Sequence, residues 1–217
     1  MSQNQTDFLA RCVRLSACMW SDALDECRLS GVILDLPQRS GGHRFAGYAV
    51  TARHHMGPHG HCSSADLGVT QMLEATGRGQ VLLVEMGGVK VSTFGGLAAA
   101  TAVANGAEAV IIDGGCRDLG EIQATGLWVA SRHVVPTSGK TRAKLVALGE
   151  RATISGISVT TGDLVVGDET GIVIIPITDI QRVFEIAERK LAQDLQMDHA
   201  LKAGRTFAEA ASEAQYF

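Results

Sequence analysis

Arg117 and Asp118 stand side by side just after a short apolar run that closes on Asp113-Gly114-Gly115-Cys116. Arginine presents a planar fork of donors that matches a carboxylate, or the two oxygens of a 2-oxo acid. Aspartate is a hard oxygen ligand, of the kind Mg2+ or Mn2+ takes while keeping several waters. The plainer alternative is that Asp118 caps a helix beginning at Leu119 and that Arg117 pairs with a surface acid. A second candidate is Gly95-Gly96-Leu97-Ala98, where glycines at a helix start leave N–H groups free for an anion. Its alternative is close packing of that helix on a sheet. Neither G-x-G-x-x-G nor G-x-x-x-x-G-K-[ST] occurs, so no nucleotide is indicated. A third candidate is the run His54-His55-Met56-Gly57-Pro58-His59-Gly60-His61-Cys62, read as a loop. Its histidines could ligate a transition metal or touch a substrate, or simply reflect loop composition, since no fixed zinc spacing is present. Cys116, beside Arg117, reads either as a thiol of lowered pKa or as a small buried residue.

These residues need a scaffold, and the hydrophobic pattern describes one. Val81–Glu85 and Ala109–Asp113 read as buried strands, the second ending at Gly114-Gly115. Between them a helix is expected over 95–104, with Asn105-Gly106 as its stop. A short helix from Leu119 to Thr125 is stopped by Gly126, and Trp128–Ser131 is a further strand. Strand, helix, strand, short helix, strand implies an α/β layer with part of its sheet parallel. Ligands of such sheets bind outside the carboxyl ends of the strands, where Arg117 and Asp118 fall. Upstream, Thr6 and Ser21 are expected to cap two short helices, Phe45–Ala52 to form a strand, and Ser63-Ser64-Ala65-Asp66 to open a helix reaching about Ala75. Downstream, 153–176 reads as β structure with turns at Thr161-Gly162-Asp163 and 167–171. A helical tail starts at Asp179, with Ile180, Val183, Phe184, Ala187, Leu191 and Leu195 on one face.

The 217 residues are 46% hydrophobic with a net charge of −4, which excludes wholesale disorder and argues against a duplex-binding surface. Glycine is in excess at 25 residues, without a triplet period and with only 4 prolines. Neither collagen nor a linker fits, so backbone must come close to something. Five cysteines without a C-x-x-C pair fit a reduced, cytoplasmic setting. No leader or membrane span is read, and no linker or repeat divides 1–217, so a single domain with a helical extension over 179–217 is expected.

At this point a family resemblance is carried by Gly95-Gly96-Leu97-Ala98, Asn105-Gly106 and Val110-Ile111-Ile112-Asp113-Gly114-Gly115-Cys116-Arg117-Asp118. Together they resemble the signature of the RraA-like family, which includes class II pyruvate aldolases acting on 4-hydroxy-4-methyl-2-oxoglutarate and 4-carboxy-4-hydroxy-2-oxoadipate. Ser21-Asp22-Ala23-Leu24 resembles the family's opening helix. Val129–Pro136, containing Arg132, resembles one of its strands, although Trp128 replaces a proline. The segment 162–176, from Gly162-Asp163 through Gly167-Asp168 to Pro176, resembles its late hairpin. The resemblance spans roughly residues 16 to 204.

What the resemblance implies is an αββα sandwich of the RraA-like type, assembled as a homotrimer or homohexamer with sites at subunit interfaces and the tail on a neighbouring subunit. It implies a cytoplasmic, metal-dependent lyase that releases pyruvate from a 2-oxo acid by retro-aldol cleavage, or decarboxylates oxaloacetate. Arg117 would hold the pyruvyl carboxylate and keto oxygen, Asp118 would bind Mg2+ or Mn2+, and the amides of Gly95, Gly96, Leu97 and Ala98 would complete the carboxylate site. The alternatives are a non-catalytic regulator of an RNA-processing enzyme, whose family members lack the aspartate after the arginine, and another metal-dependent reaction on the same scaffold. Two departures stand out. Aldolases of the family often carry an acid where Gly96 stands, and a glutamate of the C-terminal helix aligns only with Asp194. His59 or His61 is offered in place of the missing acid.

Overall fold

The computed structural model describes residues 2–216. Its centre is a mixed sheet whose strands are buried on both faces. In β4 (Gln80–Glu85), Leu82 and Val84 enter one hydrophobic core while Val81 and Leu83 enter another. In β6 (Ala109–Cys116), Val110 and Ile112 divide from Ala109 and Ile111 in the same way. The apolar runs Val81–Val84 and Ala109–Ile112 therefore feed two cores by alternation, as expected where both faces of a sheet are covered.

The strand order is β1-β12-β11-β3-β4-β6-β7-β2. β3 (Phe45–Met56), β4, β6 and β7 (Trp128–Val134) run parallel. β1 (Val32–Ile33), β2 (Gln38–Ser40), β11 (Leu164–Gly167) and β12 (Ile172–Ile175) join antiparallel at the flanks. β5 (Ser92–Phe94) extends the end of β6, and β8 (Ala143–Leu148) extends the end of β3. Helices α3 (Val69–Glu74), α4 (Gly96–Asn105) and α5 (Leu119–Thr125) cover one outer face. Helices α1 (Gln3–Cys12), α2 (Ala17–Cys27) and α6 (Ile180–Lys202) cover the other, over β11 and β12. The inner core between the faces of the curled sheet holds Phe45 against Trp128, ring centroids 4.6 Å apart, with Ile154 and Val159 of the hairpin β9 (Ala152–Ile154) and β10 (Ile157–Val159). This is the expected αββα sandwich.

Several local expectations are corrected. Helix α1 is capped by Ser2, in a capping box with Gln5, and Thr6 lies in its first turn. Helix α2 is capped by Ser16, so Ser21 is mid-helix; at both starts a serine four or five residues upstream takes the cap, its side chain accepting from the N–H three residues on. Strand β3 runs on to Met56 because β8 pairs with its far half, which puts His54 and His55 in the sheet rather than in a loop. Ser63 and Asp66 exchange the two hydrogen bonds of a capping box, yet they open only a 3-10 turn, since Gly68 at φ +68° breaks the chain before α3. β6 continues through Gly114-Gly115 to Cys116. A side chain at Gly114 would meet Met86 Sδ at 2.5 Å, and one at Gly115 would meet the Val91 carbonyl at 2.6 Å.

The helical tail belongs in part to this chain's own outer layer. Val183, Phe184 and Ala187 are buried against α1 and α2, and Phe184 stacks near Phe8 and Trp20. Further along, Met197 and Ala200 pack on α7 (Phe207–Ala214), while Leu195 is 59% exposed.

The acids of the late hairpin turn out to tie backbone. Buried Asp163 accepts from the N–H groups of Thr160 and Ile177, both at about 2.8–2.9 Å. Buried Asp168 accepts from Thr170 N–H at 2.9 Å and from Ala17 N–H at 2.8 Å, joining the β11–β12 turn to the start of α2. Removing an acceptor from a buried donor costs about 1–3 kcal/mol, and about 1 kcal/mol moves the melting temperature of a domain this size by roughly 2–4 °C. Asp168→Ala is therefore expected to melt several degrees lower by scanning calorimetry, while Glu169→Ala, exposed beside it, stays within about 1 °C.

Candidate active site

Arg117 and Asp118 leave the sheet at the carboxyl end of β6. Two neighbours fix that exit: Arg117 N–H donates to the Phe94 carbonyl at 3.0 Å, and Val135 N–H donates to the Cys116 carbonyl at 2.9 Å. Asp118 then takes a left-handed backbone, φ 53° and ψ 45°, at the first position of the turn into α5. A non-glycine residue there is held at some energetic cost, and such positions cluster where geometry is functional. Its carbonyl accepts from Ile122 N–H at 3.0 Å, but its side chain makes no capping bond to α5. Helix capping is thus not what the carboxylate does. It turns instead to the next helix: Gly96 N–H donates to Asp118 Oδ2 at 3.3 Å, and Arg117 Nε lies 3.4 Å from the same oxygen.

Gly95 and Gly96 make this approach possible. A side chain at Gly95 would meet Asp118 Oδ2 at 2.5 Å and Arg117 Nε at 3.2 Å. Gly95 is extended, φ −142°, so the glycine answers to space rather than to backbone freedom. Gly95, at the N-cap of α4, has no side chain to cap it; Asp118 takes the Gly96 N–H, and Leu97 and Ala98, at the positive end of the helix dipole, line the cleft. That cleft holds about 260 Å³, and its walls include Gly95, Leu97, Ala98, Arg117, Asp118 and Lys140. Arg117 and Asp118 remain 38% and 39% exposed in their side chains, open to a ligand. A fork of donors, free amides, a hard carboxylate and a second cation thus converge on a space suited to a small anion.

Lys140 was not singled out from the sequence. Only the turn that pairs Ser138 with Ser92 of β5 brings it across from Arg117, a contact between distant segments that no local pattern carries.

Other candidates lie elsewhere. Arg132 pairs with buried Asp113 and donates to Ser155 Oγ at 2.9 Å, and Ser155 N–H donates back to Asp113 at 3.3 Å. This network ties β6 and β7 to the turn between β9 and β10 and does not line the cleft. Asp194 sits beside Tyr216, whose phenol it pushes above the usual range, within the α6–α7 end of the chain. His59 and His61 are exposed, and the His61 ring packs 5.1 Å from the His55 ring. None of them borders the cleft. Among the described residues no group of three or more His, Cys, Asp or Glu side chains forms a metal cage. Cys116 is wholly buried, with Sγ 3.3 Å from Ser131 Oγ, so it is the small buried residue of the two readings.

Among the described residues, His54 is the histidine bonded to a cleft-wall residue. It is buried, and its Nε2 bonds to the carbonyl of Leu67, a lining residue, at 3.0 Å. A carbonyl can only accept, so Nε2 carries the proton and Nδ1 is left buried without a partner.

A protein-family model described as RraA-like, Aldolase/RraA, matches residues 17–174. Protein DlpA of Legionella pneumophila is 23% identical over 99% of this chain, which spans only 35% of that protein's length. A Deinococcus radiodurans protein named "Putative 4-hydroxy-4-methyl-2-oxoglutarate aldolase" is 34% identical over 70% of this chain and 88% of its own. Among solved structures, Streptomyces coelicolor RraAS2, described as an unusual member of the RNase ES inhibitor RraA protein family, superposes with a TM-score of 0.75 at 19% identity. It covers 84% of this chain and 91% of its own, a likeness of fold. Among the described residues no helix is long and apolar enough to cross a membrane.

Burial pushes the His54 imidazole below its ordinary 6.5, against the smaller opposing effect of its bond to Leu67. The unfolded chain therefore takes up the proton first as pH falls. Stability is full above about 6.5, drops as pH passes below it, and levels off under the folded-state pKa. The urea midpoint is expected to fall between pH 7.5 and 5, and this step should shrink in His54→Leu.

Proposed function

Because the chain belongs to the RraA-like family, we propose that its cleft at the end of β6 cleaves a 2-oxo acid to pyruvate, by retro-aldol chemistry or by decarboxylation of oxaloacetate. The observation that carries this reading is the turn of the Asp118 carboxylate away from its own helix, beside Arg117 and onto the amide of Gly96. Arg117 and the amides of Leu97 and Ala98 bind the pyruvyl carboxylate, with Lys140 facing it across the cleft. Both reactions pass through a pyruvate enolate, and preorganised donors are worth most where charge develops.

The donor set fits a hard divalent ion. One partly exposed carboxylate suits Mg2+ or Mn2+, which is commonly held by one or two carboxylates, substrate oxygens and water rather than by an all-protein cage. Asp118 would hold it, and the ion would supply Lewis-acid stabilisation of the enolate oxygen. Arg117, always protonated, orients the substrate by its carboxylate. Leu97 is 85% exposed at the rim, and a second copy of the chain in a homotrimer or homohexamer would exclude water there. The relatives named as aldolases support the reading at about 30% identity.

Purified protein with Mg2+ or Mn2+ is expected to release pyruvate from oxaloacetate or a 4-hydroxy-2-oxo acid. Arg117→Ala and Asp118→Ala should each lower kcat/KM by at least about 100-fold. No metal-dependent release from any such acid in a coupled lactate dehydrogenase assay would overturn the lyase reading and favour the non-catalytic one.

A further inference from the structure

The lyase reading leaves one task without a residue. Cleavage needs a base for the substrate hydroxyl and an acid for the enolate carbon. Arg117 cannot give up its proton, and Asp118 is engaged by Gly96 N–H and Arg117. Glu121 stands three residues further on, in the first turn of α5, outside the cleft wall itself but over Gly96, the glycine whose N–H the Asp118 carboxylate accepts. A side chain added at Gly96 would run into the Glu121 carboxylate oxygen Oε2, with Glu121 Cβ at 2.6 Å and Cδ at 2.9 Å. Gly96 does not have a left-handed backbone, so it is the space taken by Glu121 that keeps this position a glycine.

The placement is rigid at its base and free at its tip. Ile122, the next residue, is wholly buried in the core under α4 and α5, and its N–H is bonded to the Asp118 carbonyl. Glu121 itself is exposed, and among the described residues its carboxylate has neither a hydrogen bond nor an ion pair. Two carboxylates thus converge on one glycine at an uncapped helix start, Asp118 against its N–H and Glu121 over the space of its missing side chain. One is committed to contacts and the other is not.

We infer that Glu121 is the proton-transfer residue of this site, acting across one water. The inference rests on the lyase reading. In the cleavage direction the Glu121 carboxylate accepts a proton from the water as that water takes the substrate's 4-hydroxyl proton. The O–H electron pair becomes the new carbonyl π bond, the C3–C4 bond breaks, and its electron pair moves into the C2–C3 enolate. Glu121, now protonated, returns the proton through the water to C3, giving the pyruvate methyl group and restoring the carboxylate. In decarboxylation the bond from C3 to the departing carboxylate breaks, its electron pair enters the C2–C3 enolate as CO2 leaves, and Glu121, loaded with a proton from solvent water, delivers it through the bridging water to C3.

The experiment separates this role from binding and from folding. Exchange of the pyruvate methyl protons for deuterium, followed by NMR in D2O with Mg2+, reports the enolate step without any aldol substrate. Glu121→Gln is expected to slow exchange and kcat by at least about 100-fold with KM within about twofold. Mn2+ affinity of the chain alone, read by electron paramagnetic resonance, should stay within about threefold in Glu121→Gln and fall at least about tenfold in Asp118→Asn. Gly96→Asp added to Glu121→Ala should recover exchange by about tenfold over Glu121→Ala alone, because the new carboxylate enters the vacated space. An active wild type with unimpaired Glu121→Gln overturns this assignment alone, as does a loss of Mn2+ affinity as large as the loss of kcat. A wild type inert toward every oxo acid and toward exchange overturns the lyase reading, and this assignment with it.

Discussion

The contact between the end of β6 and the start of α4 governs the rest of the site. Two successive residues without side chains, Gly95 and Gly96, let the turn at 117–121 approach the helix so closely that Asp118 and Glu121 occupy the space their Cβ atoms would need. The approach forces Asp118 into a left-handed conformation and denies its carboxylate to α5. The energy for that arrangement comes from around it. Cys116 is clamped between Phe94 and Val135 through neighbouring backbone bonds, and Ile122 anchors α5 in the core. An open helix start beside a held carboxylate and an arginine is the outcome, and it is the same contact that makes the cleft polar on one wall.

Behind this contact stands the two-faced burial of the central strands. Because β4 and β6 are apolar on both sides, they are fixed by two cores at once, and their carboxyl ends become a rigid platform. The late hairpin has a similar role on the far flank. Its acids, Asp163 and Asp168, are spent on backbone N–H groups that bind β11 and β12 to the rest of the chain. Arg132 and Asp113 pair across β6 and β7, and Asp113 also accepts from Ser155 N–H. Charged residues in recognisable motifs are therefore divided between two duties, and only Arg117 and Asp118 among them face the cleft.

An α/β layer with a partly parallel sheet was legible from periodicity and turn residues, since uninterrupted apolar runs bounded by glycine read as buried strands; the αββα sandwich itself came from the family resemblance. The local errors share a cause. Thr6 and Ser21 carry good capping chemistry, but Ser2 and Ser16 upstream carry it too and accept the N–H groups of Gln5 and Met19, so the helices begin before both. His54 and His55 look like loop residues until β8, a distant segment, pairs with them. A single window of sequence holds none of that partner information.

By itself, the sequence determined the strand–helix alternation, the Arg117-Asp118 pair at a strand end, and the glycine excess that announced close backbone approach. Periodicity, side-chain chemistry and composition are properties of the chain and survive any folding. Tertiary structure alone decided which acid lies against which glycine, that Lys140 faces Arg117, and that Arg132, Asp194 and the histidines stand away from the cleft. Those facts are distances between segments far apart in the chain, fixed by packing on a shared core, and no spacing along the sequence encodes them.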